Sequence, residues 1–234
     1  MDTSSTTVTV PTADGDMPAR LWLPESGSGP GVLLLQEIFG VSAYIQRRGA
    51  DLAAAGYVVL APELYWRLDE PPLDETAPDV VDAAMARAGR LDPDTTVADA
   101  VAALGALRAR SEVTGPVGAL GFCFGGGLAF NVAAVAPVDF LVSYYGSGLP
   151  GLLDLAPQVT VPSLHHFGTA DDYIDAESVE RVRAAVTAHA DVSFELYEGA
   201  NHAFDNDDFY FFHPEASALA WDRTLAFLAE HASR

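Results

Sequence analysis

The sequence predicts an α/β protein in which helices cover both faces of a mostly parallel central sheet. Short apolar runs, such as residues 30–36, alternate with longer stretches of helical spacing, such as residues 42–56. This alternation is typical of βαβ units, because two parallel strands need a crossover helix between them. Half of the 234 residues are hydrophobic, enough for a large buried core. We therefore expect a single domain over residues 1–234.

The N-terminal segment departs from this alternation. Residues 6–10 and 19–24 are short strand-like runs on either side of Asp14-Gly15, a dipeptide typical of tight turns, so we expect an antiparallel hairpin here. The remaining predicted elements are strands at 30–36, 57–62, 115–122, 138–146, 161–168 and 192–198, and helices at 42–56, 79–90, 93–111, 124–136, 176–190 and 214–232.

The limits of these elements follow from residues with known conformational preferences. Ser42 is a good N-cap for the first helix, and Gly56 is a good terminator. Asp92-Pro93 is typical of a helix start, since proline is favoured at the first helical position. The run 30–36 is apolar throughout, as expected of a strand that is covered on both faces. Residues 65–79, rich in proline and acidic residues, and residues 147–160 are predicted loops.

The charge of the chain restricts its partners. The formal net charge is −21, and all twelve basic residues are arginine. Nucleic acids and anionic membranes are bound through basic patches, so we expect neither as a partner. No apolar run reaches the length of about 20 residues that a membrane helix needs. The polar start and the single cysteine favour a cytoplasmic protein, acting as a monomer or, as the alternative, a homodimer.

The only cysteine, Cys123, lies in the segment Gly121-Phe122-Cys123-Phe124-Gly125, where a predicted strand turns sharply into a helix. This is the pattern of a nucleophile elbow, with cysteine in place of the usual serine. The turn lifts the side chain out of the sheet, so we expect an exposed thiol, and the helix start favours the thiolate. The alternative is an inert, buried cysteine, which the elbow disfavours if catalytic partners exist.

The partners of such a nucleophile follow it in the order acid, then histidine, each after a later strand. His202 lies in the loop after strand 192–198, the place expected for the general base. Asp171 and Asp172 follow strand 161–168, and either could orient the imidazole. Helix capping or solvation is the more natural role for Asp172 and Asp175. The sequence therefore predicts a triad of Cys123, Asp171 and His202.

The other histidines have structural interpretations. His165 and His166 are consecutive in one strand and point to opposite faces, so we expect one of them to be buried. His213 precedes Pro214 at a helix start and is expected to cap or pack. His189 ends a predicted helix and is expected to face solvent, and His231 lies near the C-terminus.

An oxyanion hole needs backbone donors close to the nucleophile. We expect the N–H groups of Ile38 and Phe124 to meet there, because residue 38 follows the C-terminal end of strand 30–36. Glu37 is a carboxylate at the mouth of the same site. Its alternative role is an ion pair with Arg47 or Arg48.

Several of these segments together resemble the dienelactone hydrolase family of α/β-hydrolases. They are QEIFG at 36–40, GYVVLAPELY at 56–65, GFCFGG at 121–126 and VSYYG at 142–146, and the resemblance covers nearly the whole chain. It implies the α/β-hydrolase fold, with Cys123 as nucleophile, His202 as base and Asp171 as its orienting acid. It also implies that Glu37 contacts the resting thiol and deprotonates it when a substrate carboxylate displaces it. Tyr145 lines the site by the same resemblance.

The sequence departs from this family at the substrate's carboxylate. The archetypal enzyme binds that group with two arginines, and here Asn206 and Val81 stand at the corresponding places, although Arg87 and Arg90 lie nearby. We therefore expect a neutral or hydrophobic substrate, with Asn206 in the pocket and aromatic contacts from Tyr145 and Phe39.

The predicted function is hydrolysis of a lactone or ester through a cysteine acyl-enzyme, without a cofactor or a metal. A carboxylesterase or thioesterase of broad specificity is the alternative within the same class. A relative that binds small molecules without turnover is the alternative outside it.

Overall fold

The structure is a computed structural model that describes residues 5–188 and 191–232. The chain divides into two compact units, residues 1–117 and residues 118–234. Strand β5 (Val113–Phe122) begins in the first unit and ends in the second. That residues 1–234 act as one domain stays a prediction.

The first unit starts with the predicted antiparallel hairpin. Strands β1 (Thr6–Thr12) and β2 (Gly15–Trp22) pair from Thr6↔Leu21 to Thr12↔Gly15, so both strands extend closer to the turn than predicted. Strand β4 (Val58–Pro62) pairs antiparallel with β2 and parallel with β3 (Gly29–Leu35). The strand order in this unit is therefore β1-β2-β4-β3.

Helices α1 (Ala43–Ala54), α2 (Val80–Ala88) and α3 (Pro93–Arg108) belong to the first unit. The Ser42 hydroxyl accepts a hydrogen bond from the N–H of Ile45, and the Asp92 carboxylate accepts one from the N–H of Thr95. The cap at Ser42 and the helix start at Asp92-Pro93 are as predicted, because short polar side chains satisfy N–H groups that have no partner within the helix. The predicted loop 65–79 contains one short 3-10 turn, Trp66–Leu68.

In the second unit the strands are parallel, in the order β5-β6-β7-β8. Strands β6 (Leu141–Tyr144), β7 (Ser163–Gly168) and β8 (Val192–Tyr197) have register pairs Phe122↔Tyr144, Tyr144↔His166 and Gly168↔Tyr197. Parallel strands end at the same edge of a sheet, so the loops after β5, β7 and β8 emerge on one side.

Helices α4 (Phe124–Val135), α5 (Ala176–Val186) and α6 (Pro214–His231) accompany these strands. Helix α5 ends before the predicted limit of 190, and the prediction for His189 lies outside the described residues. The predicted loop 147–160 contains two 3-10 turns, Leu149–Gly151 and Leu153–Gln158. No helix in the two described ranges is both long and apolar enough to cross a bilayer.

Both histidines of β7 are buried, although the sequence predicted only one. Their side chains do point to opposite faces: His165 lies near Phe130 of α4, and His166 bonds to Thr224 of α6. Both faces of the strand are therefore covered, which the alternation of side chains alone does not reveal. Burial lowers the pKa of His165 to about 4 and that of His166 well below its usual value, so both are neutral at pH 7.

Candidate active site

Cys123 occupies a strained turn between β5 and α4, with φ +52° and ψ −116°. Its N–H donates to the carbonyl of Tyr144 (3.0 Å), and its carbonyl accepts from the N–H groups of Gly126 and Ser147, both at 2.9 Å. Left-handed backbone is rare for a residue with a side chain, and it persists only where surrounding contacts enforce it. These three bonds supply that enforcement and present the sulfur at the end of β5.

The glycines around Cys123 are needed for close approach of the backbone. A methyl group at Gly121 would collide with the carbonyl of Gly125, and one at Gly127 would collide with the carbonyl of Ser147. Strand β5 could then not turn directly into α4, and α4 could not lie this close to the loop after β6. This is the local reason for the predicted elbow.

The structure brings Cys123, His202 and Asp171 together. Nε2 of His202 lies 3.1 Å from Sγ of Cys123, and Nδ1 lies 2.8 Å from Oδ2 of Asp171. The three residues follow β5, β8 and β7, at the edge where these strands end. Because a carboxylate can only accept a hydrogen bond, Nδ1 carries a proton and donates it to Asp171.

Asp171 is held by its own loop. Its Oδ1 accepts hydrogen bonds from the N–H groups of Tyr173 and Ile174, both at 2.8 Å, while Oδ2 faces His202. Asp172, the alternative acid of the sequence analysis, instead accepts a hydrogen bond from Nδ2 of Asn201 (2.7 Å). Asp175 caps α5 through the N–H of Ser178. The hydrogen-bond partner of His202 is therefore Asp171 and not Asp172.

Two opposing effects set the protonation of His202. Burial lowers its pKa, but the charge of the Cys123 sulfur and the hydrogen bond to Asp171 outweigh burial and raise the pKa to about 10. At neutral pH the imidazole is therefore protonated between two acceptors. A positive charge on the imidazole favours the anionic, nucleophilic form of a neighbouring cysteine.

Cys123 is only 8% exposed, so the prediction of an exposed thiol was wrong. The elbow does turn the residue out of the strand, but the buried imidazole of His202 lies against the sulfur, with Nε2 3.1 Å from Sγ. Two rings flank His202: Tyr145, with centroids 5.2 Å apart, and Tyr173, at 5.1 Å. Tyr145 was expected from the sequence and is fully buried.

The predicted site residues Glu37, Ile38 and Phe39 lie in the first unit, directly after β3. Glu37 is 1% exposed, and its carbonyl accepts from the N–H of Gly40 (3.2 Å) in a tight turn. The hydroxyl of Tyr65 donates to the carbonyl of Ile38 (2.6 Å), which holds this turn. The oxyanion-hole roles of Ile38 and Phe124, and the action of Glu37 on the thiol, stay predictions.

Arg87 and Arg90 lie near the position where related enzymes were expected to carry an arginine. Both pair with one carboxylate, that of Glu70. Nε of Arg87 lies 3.2 Å from Oε2 of Glu70, and Nη1 of Arg90 lies 2.5 Å from Oε1 of the same side chain. Arg87 also donates to the carbonyl of Pro71. It lines a cavity of about 490 Å³ within the first unit, together with Phe39.

Asn206 is buried in the loop that follows His202. Its side-chain oxygen accepts a hydrogen bond from the N–H of Asp208 (3.0 Å), and its carbonyl accepts one from the N–H of Phe209. These bonds shape the loop between His202 and α6. Its contact with substrate stays a prediction.

Two features near His202 were missed by the sequence analysis. One is Asn201, whose side-chain oxygen accepts from the N–H groups of His202 (2.6 Å) and Asp172 (2.9 Å). The other is Tyr173 with the aromatic segment 209–212, for which four consecutive aromatic residues were an available signal. Among the residues that the structure describes, no group of three or more His, Cys, Asp or Glu side chains is placed to hold a metal ion.

His213 caps α6, as predicted, because its Nδ1 accepts a hydrogen bond from the N–H of Ala216 (3.4 Å).

The chain resembles known proteins over most of its length. The sequence pattern of the dienelactone hydrolase family matches residues 17–232. The carboxymethylenebutenolidase of Pseudomonas sp. (strain P51) is 37% identical over 92% of this chain and 90% of its own length. Carboxymethylenebutenolidase 1 of Cupriavidus pinatubonensis (strain JMP 134) is 33% identical over 92% of each chain.

Solved structures show the same architecture. A candidate dienelactone hydrolase from Klebsiella pneumoniae subsp. pneumoniae MGH 78578 superposes with a TM-score of 0.84 at 29% identity. The match covers 97% of this chain and 98% of that one. The predicted α/β-hydrolase fold and the predicted resemblance are thereby confirmed.

Proposed function

Because the chain belongs to the dienelactone hydrolase family, and is therefore a carboxylic ester hydrolase, we propose that it cleaves a neutral ester or lactone through a thioester on Cys123. The observation that carries this proposal is the hydrogen-bond chain from Asp171 through His202 to Cys123, with distances of 2.8 and 3.1 Å. Nucleophile, base and orienting acid stand in the order that acyl transfer requires.

In the first half-reaction the Cys123 thiolate attacks the carbonyl carbon of the substrate. The carbonyl π electrons move to oxygen, and the N–H groups of Ile38 and Phe124 are the proposed donors to this oxyanion. When the tetrahedral intermediate collapses, the C–O bond to the leaving group breaks. The leaving oxygen takes the proton from Nε2 of His202, which lies on the sulfur side of the imidazole. An alcohol and a thioester result.

In the second half-reaction the neutral imidazole accepts a proton from water, and the resulting hydroxide attacks the thioester carbon. The C–S bond breaks, the acid is released, and the thiolate beside the imidazolium is restored. Asp171 stabilises the imidazolium in both steps and holds its tautomer. Ester and water thus give acid and alcohol. Because a thiolate is a good leaving group, a cysteine enzyme is suited to activated esters and enol-lactones.

The preference for a neutral substrate rests on the missing cations. Desolvating a substrate carboxylate is costly unless charged donors replace its water. Asn206 stands in place of one arginine, and Glu70 already holds both Arg87 and Arg90. A hydrogen bond to a charged group contributes about 1.5–3 kcal/mol, so losing two weakens transition-state binding by roughly 10²–10⁴. We also propose a cytoplasmic location, which the single cysteine favours.

The test compares wild type and Cys123→Ala on p-nitrophenyl acetate and on cis-dienelactone. Wild type should show a burst of p-nitrophenol that titrates one site, followed by turnover, with a higher kcat/KM for the neutral ester. Cys123→Ala should fold normally, by circular dichroism, and show neither phase. Turnover by Cys123→Ala would overturn the nucleophile, a burst without turnover would indicate a non-catalytic relative, and a strong preference for the dienelactone would overturn the neutral substrate.

A further inference from the structure

Four aromatic side chains beside His202 form a continuous surface, which we call the aromatic rim: Tyr173, Phe209, Tyr210 and Phe211. Neighbouring ring centroids lie 4.3 Å apart for Phe209 and Tyr210 and for Tyr210 and Phe211. Tyr173 joins them through Phe211, with ring centroids 6.4 Å apart. It also stands edge-on to His202, with centroids 5.1 Å apart and an interplanar angle of 62°. The rim therefore begins at the imidazole that the proposed reaction uses.

Two of the four rings of the rim are open to solvent, and Phe209 and Phe211 are half-buried. Tyr210 is 71% exposed and Tyr173 is 54% exposed, whereas Tyr145, which contacts the same imidazole, is fully buried. An exposed group of large rings gains little in folding, because the apolar surface that it leaves in water contributes nothing to the core. Contiguous apolar surface of this kind typically marks a ligand-binding surface. Its position beside His202 makes the substrate the natural ligand.

The position of the rim relative to His202 indicates which half of the substrate it meets. A general acid must lie within hydrogen-bond reach of the oxygen that it protonates. In the proposed reaction His202 protonates the leaving-group oxygen, so the alcohol half of the ester lies beside the imidazole. Tyr173 is the exposed ring in contact with that imidazole. The rim therefore faces the alcohol half rather than the acyl half.

The negative charge around the rim disfavours alcohols that carry a negative charge. The segments 169–176 and 203–213, which carry the rim, contain no arginine or lysine. They contribute the exposed carboxylates of Asp172, Asp207 and Asp208. A phosphate or carboxylate on the outer part of the leaving group would meet these like charges. A neutral ring can instead stack on the rim at no electrostatic cost.

We propose that the aromatic rim is a binding subsite for a neutral aromatic alcohol, so that the natural substrates include aryl esters or aryl-bearing lactones. This inference rests on the proposed function, since the leaving-group argument assumes that His202 is the general acid. Tyr210 is the outermost ring by exposure and is expected to select substrates without touching the reacting atoms.

The experiment varies the two halves of the ester separately. Phenyl acetate and vinyl acetate differ in the alcohol, and phenyl acetate and phenyl butanoate differ in the acyl group. Tyr210→Ala should lower kcat/KM for phenyl acetate by about 3- to 10-fold through KM, because one aromatic contact contributes about 0.5–1.5 kcal/mol. The value for vinyl acetate, and the ratio of butanoate to acetate, should stay as in wild type. Phe212→Ala is the matched control, since Phe212 is the next aromatic residue and is 38% exposed.

A second measurement avoids turnover. Phenol should bind to the Cys123→Ala protein, as observed by shifts in its NMR signals, and adding Tyr210→Ala should weaken that binding by a similar factor. An equal loss for phenyl and vinyl acetate, or a changed acyl ratio, would overturn the rim as an alcohol subsite. The proposal would also be overturned if Tyr210→Ala lowered kcat/KM more for acetylcholine, an ester of a cationic alcohol, than for phenyl acetate. These outcomes would contradict the subsite but not the proposed triad, whereas turnover by Cys123→Ala would contradict the proposed function itself.

Discussion

The carboxylate of Asp172 lies 2.7 Å from the amide nitrogen of Asn201, the residue that precedes His202. The same asparagine accepts hydrogen bonds from the N–H groups of Asp172 and His202. One side chain thereby joins the loop after β7 to the loop after β8. Asp171 and Asp172 are neighbours in sequence but have different partners: the first binds the imidazole, and the second binds the loop that carries it.

Asp171 and Asp172 should therefore respond differently to the same substitution. Asp171→Asn should lower kcat by roughly 10²–10⁴, because an amide neither holds the required tautomer nor stabilises the imidazolium. Asp172→Asn should leave kcat close to wild type, since its partner can bond to an amide oxygen equally well. Steady-state rates on p-nitrophenyl acetate compare the two variants. The opposite ranking would show that Asp172 is the orienting acid.

The protonation of His202 should depend on the sulfur. Its raised pKa of about 10 results from the Cys123 charge and from Asp171 acting against burial. In Cys123→Ala the sulfur's contribution is gone while burial persists, so the pKa of His202 should fall. Titration of the imidazole by NMR measures this directly. An unchanged pKa would mean that Asp171 alone outweighs burial.

The same shift predicts how stability varies with pH. A histidine whose pKa is higher in the folded state stabilises that state below its unfolded pKa, and this contribution is lost as the pH rises through the folded value. The free energy of unfolding of wild type should therefore fall as the pH approaches 10. Cys123→Ala should lose its smaller contribution at lower pH. Urea denaturation of both proteins at several pH values tests this, and parallel curves would contradict it.

Glu37 is expected to restrain the resting thiol. A nearby carboxylate opposes a second negative charge, so Glu37→Gln should increase the rate of alkylation of Cys123 by iodoacetamide at neutral pH. The same variant should be a slower catalyst, because the resemblance gives Glu37 a part in activating the thiol. Glu75→Gln removes an exposed carboxylate that caps α1 and serves as the control. Equal alkylation rates in wild type and Glu37→Gln would reject the coupling.

Thr224 of α6 is expected to stabilise the second unit through a buried hydrogen-bond network. Its hydroxyl lies 2.6 Å from the hydroxyl of Tyr144 and 3.1 Å from Nε2 of His166. Thr224→Val keeps the shape but leaves these groups without that partner, at a cost of about 1–3 kcal/mol in the free energy of unfolding. Adding Tyr144→Phe should cost less than it does in wild type, because the two residues share a bond. Strict additivity in urea denaturation would contradict the network.

Local patterns predicted much of the site. The glycines beside Cys123, the caps at Ser42 and Asp92 and the apolar strands depend on neighbours within a few residues, so they are visible in the sequence. Because parallel strands end at one edge, the order of strands also predicted that Cys123, Asp171 and His202 would meet. Their hydrogen bonds agree with that expectation.

The sequence by itself therefore determined the order of strands and helices, the elbow and the identity of the three interacting side chains. Tertiary structure decided which faces were covered: α6 covers His166 from 58 residues away, and His202 lies against the thiol that was expected to be exposed. It also brought Asp172 into a hydrogen bond with Asn201 and placed Tyr173 against His202 and Phe211. Burial, the raised pKa of His202 and the exposed rim arise from side chains that are distant in sequence, and no local preference encodes which of them meet.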